Sequence, residues 1–318
     1  MQLRNVKIMV VGDLMLDRYW WGSVDRISPE APVPIVKLRR TSAAAGGAAN
    51  VAANIAGLGG QAVLVGITGA DAEGESLRNV LDEVANVDLR AIAVNSRPTT
   101  VKTRIIAHDQ QVTRLDHENT EPITGADEAA VLEQVLGLIG SVDAIVVSDY
   151  AKGLLTDDIL SGLIAAAGVQ GKMVFVDPKG KDYSKYRGAT MVTPNIHEAA
   201  DACGLSIDDP GLVSSAGWRL LSELDLAASL ITEGANGMTL FEANGPSTHM
   251  NAFARKVYDV TGAGDTVIAT LAVAAASGNT FADSADLANI AAGIAVGQIG
   301  TAVVSGDEVL SAYSASRK

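Results

Sequence analysis

Short apolar runs alternate with helical patterns along most of this chain. Runs of strand length include KIMVVGD, AVLVGITG, AIVVSDY, KMVFVDP and ASLITEG. Helical patterns lie between such runs, among them GGAANVAANIAGLG and a segment near residues 73–84. This alternation is the signature of βαβ units, in which helices cover both faces of a parallel sheet. We therefore predict an α/β fold, a three-layer α/β/α sandwich with a mostly parallel central sheet.

Two segments break this alternation. Residues 18–40 and 97–117 are rich in β-forming residues at alternating apolar and polar positions. We predict that they form a small separate sheet, a lid that covers one end of the main domain. A chain of 318 residues can bury one large core or two modest ones, and typical domain sizes favour one α/β domain with an accessory piece. We therefore expect a single domain spanning residues 1–318, with these two segments as its lid.

Charge and cysteine content exclude several classes of protein. The formal net charge of −13 argues against nucleic acid or an anionic membrane as a partner, because phosphates are bound by clustered Lys and Arg. The single cysteine, Cys203, excludes an internal disulfide and a Cys-rich metal site. We expect Cys203 to be buried in a helix, and a reducing cytoplasm as the location.

No membrane or export segment is expected. The first seven residues lead directly into an apolar strand-like run, which does not fit a signal peptide. The uncharged windows 41–70 and 287–306 contain too many glycines and amide side chains for a membrane span. We predict that both windows are tightly packed helix and strand.

Polar residues or glycine follow several of the predicted strands, namely Asp13, Asp149, Asp177, Asn195 and Gly234. Ligand sites in open α/β sheets lie at the carboxyl ends of the strands. Each Asp or Asn alone could equally be a helix cap. Taken as a set, they predict a ligand site at this edge of the sheet.

The stretch DVTGAGD, residues 259–265, predicts an anion site. Gly262 and Gly264 leave backbone N–H groups uncovered at the start of a helix, where the helix dipole adds positive potential. Asp265 follows within the first helical turn. A carboxylate beside an anion site suits phosphoryl transfer, with the carboxylate as the base that activates the attacking hydroxyl. Read alone, the stretch fits a simple helix cap equally well.

Other phosphate-binding motifs fit less well. A dinucleotide fingerprint needs a third glycine where Val267 stands, and no acidic strand end follows at the required distance. A Walker loop needs Gly-Lys followed by Ser or Thr, whereas Met173 follows Gly171-Lys172 and Asp182 follows Gly180-Lys181.

Two separated motifs, GGAANVA at residues 46–52 and DVTGAGD at residues 259–265, resemble those of the ribokinase or PfkB carbohydrate kinases. The resemblance covers nearly the whole chain. The segments VVGDLMLDRYWWG, RISPEAPVPIVK, SDYAKG, DPKG, YRGAT and TPN resemble the heptose-7-phosphate kinases within that family. This resemblance implies ATP-dependent transfer of phosphate to O1 of D-glycero-β-D-manno-heptose 7-phosphate, giving the 1,7-bisphosphate used for ADP-heptose and the lipopolysaccharide core.

The resemblance also implies roles for individual residues. Asp265 is the implied base, next to an anion hole formed by Gly262, Ala263 and Gly264. The implied sugar contacts are Asp13, Gly46, Gly47 and Asn50. The implied nucleotide contacts are Asn195, Ile196, His197, Glu198, Thr232, Gly234 and Asn289. Glu198 is implied to act on Mg²⁺ through bound water.

Two of the signals have a simpler reading. We expect only the backbone of His197 at the site, because its side chain is more simply explained as a solvated group on the surface of a helix. We interpret Asn54, one helical turn after Asn50, as a packing residue.

Basic residues are the candidates for binding the phosphate of the sugar substrate. Residues 97–108 contain Lys102 and Arg104 and no acid, and Arg114 follows on the same predicted lid. Arg offers phosphate a bidentate fork. We predict that Lys179, Arg104 and Arg114 bind the phosphate of the sugar. The alternative is that the basic residues on the lid hairpin are only solvated and bind no ligand.

The lid also predicts an assembly. Free edge strands invite pairing, and Trp20 and Trp21 are more readily explained by a lid or dimer surface than by stacking on a sugar. We expect a homodimer through the lid. Three other functions stay open: a kinase for another sugar phosphate, a catalytically silent sugar- or nucleotide-binding regulator on the same fold, and a nicotinamide-dependent oxidoreductase.

Overall fold

A nine-stranded sheet forms the centre of the protein. The computed structural model describes residues 1–108, 110–253, 256–298 and 300–317. Seven strands of the sheet are parallel: β1 (Lys7–Gly12), β4 (Gln61–Gly69), β5 (Val87–Val94), β8 (Ala144–Ser148), β9 (Met173–Asp177), β10 (Met191–Val192) and β11 (Ala228–Thr232). Two antiparallel strands close one edge: β12 (Met238–Glu242) and β13 (Thr248–Met250). The strand order is β13-β12-β11-β10-β9-β8-β1-β4-β5.

Helices cover both faces of this sheet. One face packs against α1 (Ala48–Gly57), α2 (Ala72–Asp82), α7 (Ala263–Ala276), α8 (Phe281–Ala295) and α9 (Gly306–Ser316). The other packs against α3 (Ala126–Leu138), α4 (Asp157–Val169), α5 (Ile196–Cys203) and α6 (Leu212–Glu223). The predicted three-layer sandwich with a mostly parallel sheet is confirmed.

Strand β1 shows why the sequence folds this way. From Ile8 to Val11 its residues are apolar without a break, as expected for a strand that is buried on both faces. Ile8 and Val10 pack into the core shared with α1 and α7, whereas Met9 and Val11 pack into the core shared with α3 and α4. Because successive side chains of a strand point to opposite faces, one run of apolar residues supplies both cores.

A second sheet of four strands forms the lid. Its order is β3 (Pro34–Gly47), β2 (Leu14–Ile27), β6 (Thr100–Ala107) and β7 (Gln110–His117). The smaller sheet predicted from residues 18–40 and 97–117 is present, but its first two strands are longer than the prediction. Strand β2 begins directly after Asp13, and β3 continues to Gly47, where α1 begins.

Most of the first uncharged window and the part of the second that lies in α8 are buried or half-buried, whereas residues 41–43, Gly297, Gln298 and Val303 are exposed. Residues 41–70 form the end of β3, α1 and β4, and residues 287–306 include most of α8. Cys203 ends α5 as a buried free thiol, as predicted. Within the described ranges, no helix is both long enough and apolar enough to cross a membrane.

Candidate active site

Asp265 lies in the first turn of α7, at the edge of the sheet where the parallel strands end. Gly262 caps the helix with a left-handed φ of 79°. Asp265 is the third residue of α7, where the helix dipole stabilises a negative charge. It is only 4% exposed. The DVTGAGD motif therefore delivers a carboxylate to a nearly water-free position.

The turn before Asp265 exposes backbone donors. Within the described part of the chain, the N–H groups of Gly262 and Gly264 have no backbone or side-chain acceptor. The N–H of Ala263 instead donates to the carbonyl of Val260 at 3.2 Å. The free donors of this turn are therefore those of Gly262 and Gly264, whereas Ala263, which the resemblance implied as a third donor, is already engaged.

Both oxygens of Asp265 accept a hydrogen bond. Asn50 donates from Nδ2 to Oδ2 at 2.7 Å, and the Tyr150 hydroxyl donates to Oδ1 at 2.8 Å. Burial raises the pKa of Asp265 to about 6, and the two hydrogen bonds oppose this rise. Burial and the Asp265 carboxylate raise the pKa of Tyr150 well above its usual value, so the phenol stays a donor. A buried carboxylate with a pKa near neutrality can take up a proton during a reaction.

Asp13 holds the loop that carries Tyr150. Its carboxylate accepts from the backbone N–H of Tyr150 at 2.9 Å and of Lys152 at 3.0 Å. Burial, with the charge of Asp149 second, raises the pKa of Asp13 to about 6. Ala151 in this loop has a φ of 54°, a conformation that non-glycine residues rarely adopt and that is concentrated at functional sites. Asp13 thus anchors the loop that carries Tyr150 beside Asp265, and the sugar contact implied by the resemblance stays a prediction.

Gly46 and Gly47 bring the backbone of the strand β3 close to the Asp17 carboxylate and to the backbone of Asp13. A Cβ on Gly47 would lie 2.6 Å from the carbonyl oxygen of Asp13, and one on Gly46 would lie 2.9 Å from Cγ of Asp17. Asp17 is 4% exposed, and its charge contributes to raising the pKa of Asp265. Sequence reasoning missed Asp17, although an acid at an inward position of an apolar strand is a signal in its own right.

Some of the residues assigned to the nucleotide gather near Gly264, which directly precedes Asp265. Asn195 caps α5 by accepting from the N–H groups of His197 and Glu198, and the Glu198 side chain accepts from the Asn195 N–H. A cleft of about 150 Å³ lies here, lined by Asp177, Lys179, Asn195, Glu198, Thr232 and Gly264. His197 is exposed, as expected.

The remaining nucleotide candidates lie on different elements. Thr232 ends β11 and pairs with Asn195 through an isolated bridge, and Gly234 follows with a φ of 60°. Ile196 is the first residue of α5. Asn289 lies on α8 and donates from Nδ2 to the carbonyl of Asn251 at 2.8 Å. The structure therefore brings Asn195, Glu198 and Thr232 into one cleft with Gly264, whereas Asn289 lies on a separate helix.

The three residues assigned to the sugar phosphate do not lie together. Lys179 pairs with Glu198 at 2.7 Å, inside the cleft of the nucleotide candidates. Arg104 pairs with Asp17 at 2.7 Å on the lid, and Arg114 pairs with Asp116 at 2.8 Å. Arg104 and Arg114 are direct cross-strand neighbours, an arrangement of like charges that is normally unfavourable.

Two further charged residues, which the sequence marks without giving either a specific role, lie near Asp265. Lys102 lies with its Nζ 5.5 Å from the ring centre of Tyr150, and burial together with the charge of Lys152 lowers its pKa. Asp177 ends β9 near Gly264, and burial together with the charges of Asp265 and Glu198 raises its pKa well above the usual value. Asp177 is marked in the sequence by its place at a strand end, and Lys102 by its stretch of basic residues without an acid. Sequence reasoning missed Tyr150, although it lies two residues after β8, at the same edge of the sheet.

The buried carboxylates predict how stability depends on pH. The pKa values of Asp13 and Asp265 are about 6 in the folded state and 3.8 in the reference state. The folded protein therefore binds these protons more tightly, so this stabilisation is complete below pH 3.8 and is lost as the pH rises through about 6. Urea unfolding should show a higher free energy at pH 5 than at pH 7, with Asp265 contributing roughly 1 kcal/mol. Asp265→Asn should reduce this gain, and an equal gain in the variant would contradict the assignment.

Comparison with known proteins places the chain in a family. The profile of the pfkB family of carbohydrate kinases matches residues 5–306. The chain belongs to this family. The family resemblance carried by GGAANVA and DVTGAGD is therefore confirmed.

Curated relatives extend beyond this chain. It is 49% identical over 302 residues to the bifunctional protein HldE of Pseudomonas aeruginosa, covering 95% of this chain and 62% of that protein. It is 44% identical to the bifunctional protein HldE of Paramagnetospirillum magneticum, covering 97% of this chain and 63% of that protein. The chain thus spans about 62% of the length of the curated relatives that it matches.

Solved structures of this family share the fold. Arabidopsis thaliana ribokinase, solved with ribose and ATP, superposes with a TM-score of 0.77 at 22% identity, covering 97% of this chain and 99% of that one. Phosphofructokinase-2 from Escherichia coli, solved with potassium, gives a TM-score of 0.82 at 21% identity, covering 98% of this chain and all of that one. At these identities the likeness establishes the fold alone.

Proposed function

We propose that this chain is an ATP-dependent sugar kinase that phosphorylates O1 of D-glycero-β-D-manno-heptose 7-phosphate. The observation that carries this proposal is Asp265, a buried carboxylate with a pKa of about 6, placed directly after a turn with free N–H donors. Membership of the carbohydrate kinase family and the similarity to HldE proteins support it. We also propose a cytoplasmic location, which ATP as a substrate and one buried cysteine support.

In the proposed reaction, Asp265 accepts the proton of the attacking sugar hydroxyl. The hydrogen bonds from Asn50 and Tyr150 orient its carboxylate and leave each oxygen with a free lone pair. The free N–H groups of Gly262 and Gly264 bind the phosphoryl oxygens during transfer, where negative charge accumulates. Exclusion of water around Asp265 strengthens both interactions.

The cleft beside Gly264 suits the phosphates of ATP together with Mg²⁺. Glu198 places negative charge here, and burial together with the charges of Asp265 and Glu198 raises the pKa of the neighbouring Asp177. Among the described residues, no group of three or more potential ligands could enclose a metal. Mg²⁺ fits such a site, because it binds through one or two carboxylates, water and substrate phosphates. We propose that Glu198 contacts Mg²⁺ through water and that the ion neutralises charge on the phosphates.

The lid is the proposed site for the 7-phosphate. Lys102, Arg104 and Arg114 lie on adjacent strands, with Lys102 next to Tyr150 and therefore near the base. Lys179 was assigned to the same phosphate, but its partner Glu198 places it among the nucleotide candidates. We therefore propose Lys179 as a contact to the phosphates of ATP.

Product identification tests the proposed function. The purified chain is incubated with ATP, Mg²⁺ and a panel of sugar 7-, 6- and 5-phosphates, and products are identified by ³¹P and ¹³C NMR. We expect a new phosphate on O1 of the heptose 7-phosphate. If no sugar gives a phosphorylated product, the proposed kinase activity is refuted. If another sugar phosphate is the preferred substrate, only the proposed substrate is refuted.

Arg114→Ala should weaken binding of the sugar phosphate selectively. Loss of a charge-assisted contact of about 1.5–3 kcal/mol raises KM for the sugar phosphate about tenfold or more. KM for ATP should stay within twofold, on the order of experimental scatter for a site without contact. Arg90→Ala is a matched control, because Arg90 also pairs with an acid two residues away on an exposed strand. An equal KM in both variants would remove Arg114 from the site.

The lid also supports a homodimer, which we propose as the assembly. Its exposed surface includes large apolar side chains: Ile27, Val33, Leu38, Val112 and Leu115. Such a surface is costly in a monomer and typical of a contact between subunits. Light scattering should therefore give twice the 32.7 kDa of one chain, and Leu38→Asp should shift the mass toward the monomer. A mass of one chain at micromolar concentration would contradict the dimer.

A further inference from the structure

A row of polar side chains lies buried between α1 and α7, beneath the catalytic carboxylate. Asn50 is 2% exposed, Asn54 is fully buried and Thr266 is 1% exposed. The other buried residues of α1 are Ala, Val and Ile. A buried amide is costly unless its hydrogen bonds are made, so Asn54 demands an explanation beyond the packing role expected from the sequence.

The hydrogen bonds of Asn54 define the orientation of its amide. Its Nδ2 donates to the backbone carbonyl of Asn50 at 2.9 Å and to Oδ1 of Asn50 at 3.2 Å. A backbone carbonyl can only accept, so the NH₂ group of Asn54 must face Asn50. On the opposite side, the Thr266 hydroxyl lies 3.3 Å from Oδ1 of Asn54 and 3.0 Å from the carbonyl of Gly262, and can donate to either.

This orientation determines which end of the Asn50 amide meets Asp265. Because Oδ1 of Asn50 accepts from Asn54, its Nδ2 points the other way, to Oδ2 of Asp265 at 2.7 Å. A flipped Asn50 would place its amide oxygen against the carboxylate and would leave the Asn54 donor facing another donor. The direction of the hydrogen bonds is therefore defined along the row. It runs from Thr266 on α7, through Asn54 and Asn50 on α1, to Asp265 on α7.

We propose that Asn54, supported by Thr266, is a positioning residue that holds the Asn50 amide with its NH₂ group on Asp265. It does so without touching the substrate, and it keeps the carboxylate available as the proton acceptor. This inference rests on the proposed function for its catalytic meaning. The hydrogen-bond geometry itself does not depend on that function.

The other groups facing Asp265 do not replace this contact. They are the Tyr150 hydroxyl from the loop after β8, Asp177 at the end of β9, and Asp17 and Lys102 from the lid. Burial and Asp17 raise the pKa of Asp265, whereas Asn50, Tyr150 and Lys102 lower it. Loss of the Asn50 donor should therefore shift the titration of Asp265 upward.

The test is an NMR titration of ¹³C-labelled aspartate carboxyls, with Asp265→Asn used to assign the Asp265 signal. The variants are Asn54→Leu, Thr266→Val and Thr266→Ser. Thr270→Val is the matched control, because Thr270 is also buried in α7 and its hydroxyl bonds to the carbonyl of Thr266, outside the row. We expect Asn54→Leu to raise the Asp265 midpoint by about one pH unit, as loss of a hydrogen bond to a charged group does.

Thr266→Val should shift the midpoint in the same direction by a smaller amount, and Thr266→Ser should restore the wild-type value. In kinase assays the acid limb of kcat should move with the NMR midpoint, with KM for ATP unchanged. An unshifted midpoint in folded Asn54→Leu, or an equal shift in Thr270→Val, would overturn the inference. If Asn54→Leu fails to fold, the Thr266 variants test the inference: it is overturned if Thr266→Val leaves the Asp265 midpoint unshifted, or if Thr266→Ser shifts it equally. A shifted midpoint in a protein without kinase activity would support the inference and refute the proposed function.

Discussion

Asp265→Asn should lower kcat by a factor of about 10²–10⁴, the range for loss of a general base. Asn keeps the size of the side chain and an oxygen that can accept from Asn50 or Tyr150, but it cannot take up the proton of the sugar hydroxyl. Binding of the sugar phosphate and of an ATP analogue, measured by calorimetry, should stay within a few fold of wild type. Stability at pH 7 should not fall, because the variant removes a buried carboxylate whose ionised form is disfavoured by burial.

Asp283→Asn provides the matched control for this experiment. Asp283 is the third residue of α8, the same position that Asp265 occupies in α7, but its N–H is capped by Thr280 and it lies outside the site. A residue that acts only through the helix dipole would behave alike in both helices. If Asp265→Asn retains more than about a tenth of wild-type kcat, well inside the range for loss of a general base, then Asp265 is only a helix-capping residue.

Gly262→Ala should reduce kcat by about tenfold or more, because it strains the turn and displaces Asn50 from the base. The φ of Gly262 is 79°, where a Cβ is unfavourable, and that Cβ would lie 2.8 Å from Nδ2 of Asn50. The amide that donates to Asp265 must therefore move. Thermal unfolding should show a loss of about 1 kcal/mol or more from the backbone strain alone.

Gly278→Ala is the control that distinguishes the effect of backbone strain from the effect of displacing Asn50. Gly278 follows the other end of α7 with a φ of 92°, and its Cβ would meet no atom within 4 Å. It should lose about as much stability from strain and keep full activity. Equal kcat in the two variants would show that the position of Asn50 does not matter for the reaction.

The fold could be predicted from the sequence because its signal is periodic. The alternation of apolar runs and helical patterns yields the sandwich, and the polar residues after the runs mark the edge where Asp13, Asp177 and Asn195 lie. The position of Asp265 in the first turn of a helix, after a turn with free N–H groups, could be predicted as well, since Gly262, Gly264 and Asp265 are contiguous. Its role as the base stays a prediction.

The residues that donate hydrogen bonds to Asp265 could not be predicted in this way. Asn50 and Tyr150 are 215 and 115 residues away from Asp265 in the chain, and no periodicity connects such positions. Lys179 shows the same limit. Its charge suggested a role in binding phosphate, but only the three-dimensional structure shows that it pairs with Glu198 and so lies among the nucleotide candidates. Hydrogen-bond direction, as in the Asn54 amide, likewise depends on tertiary contacts.

The hairpin of β2 and β3 is continuous with the residues proposed to bind the sugar. Leu14, the first residue of β2, pairs with Gly47, the last residue of β3, so the hairpin begins and ends beside Asp13 and Gly47 with no linker between. Its outer end extends beyond Trp21 as a two-stranded ribbon. A force on this outer end, for example from the proposed second subunit, therefore acts as a torque on the backbone at Asp13 and Gly47. Contact between subunits would in this way change the geometry of the proposed reacting groups.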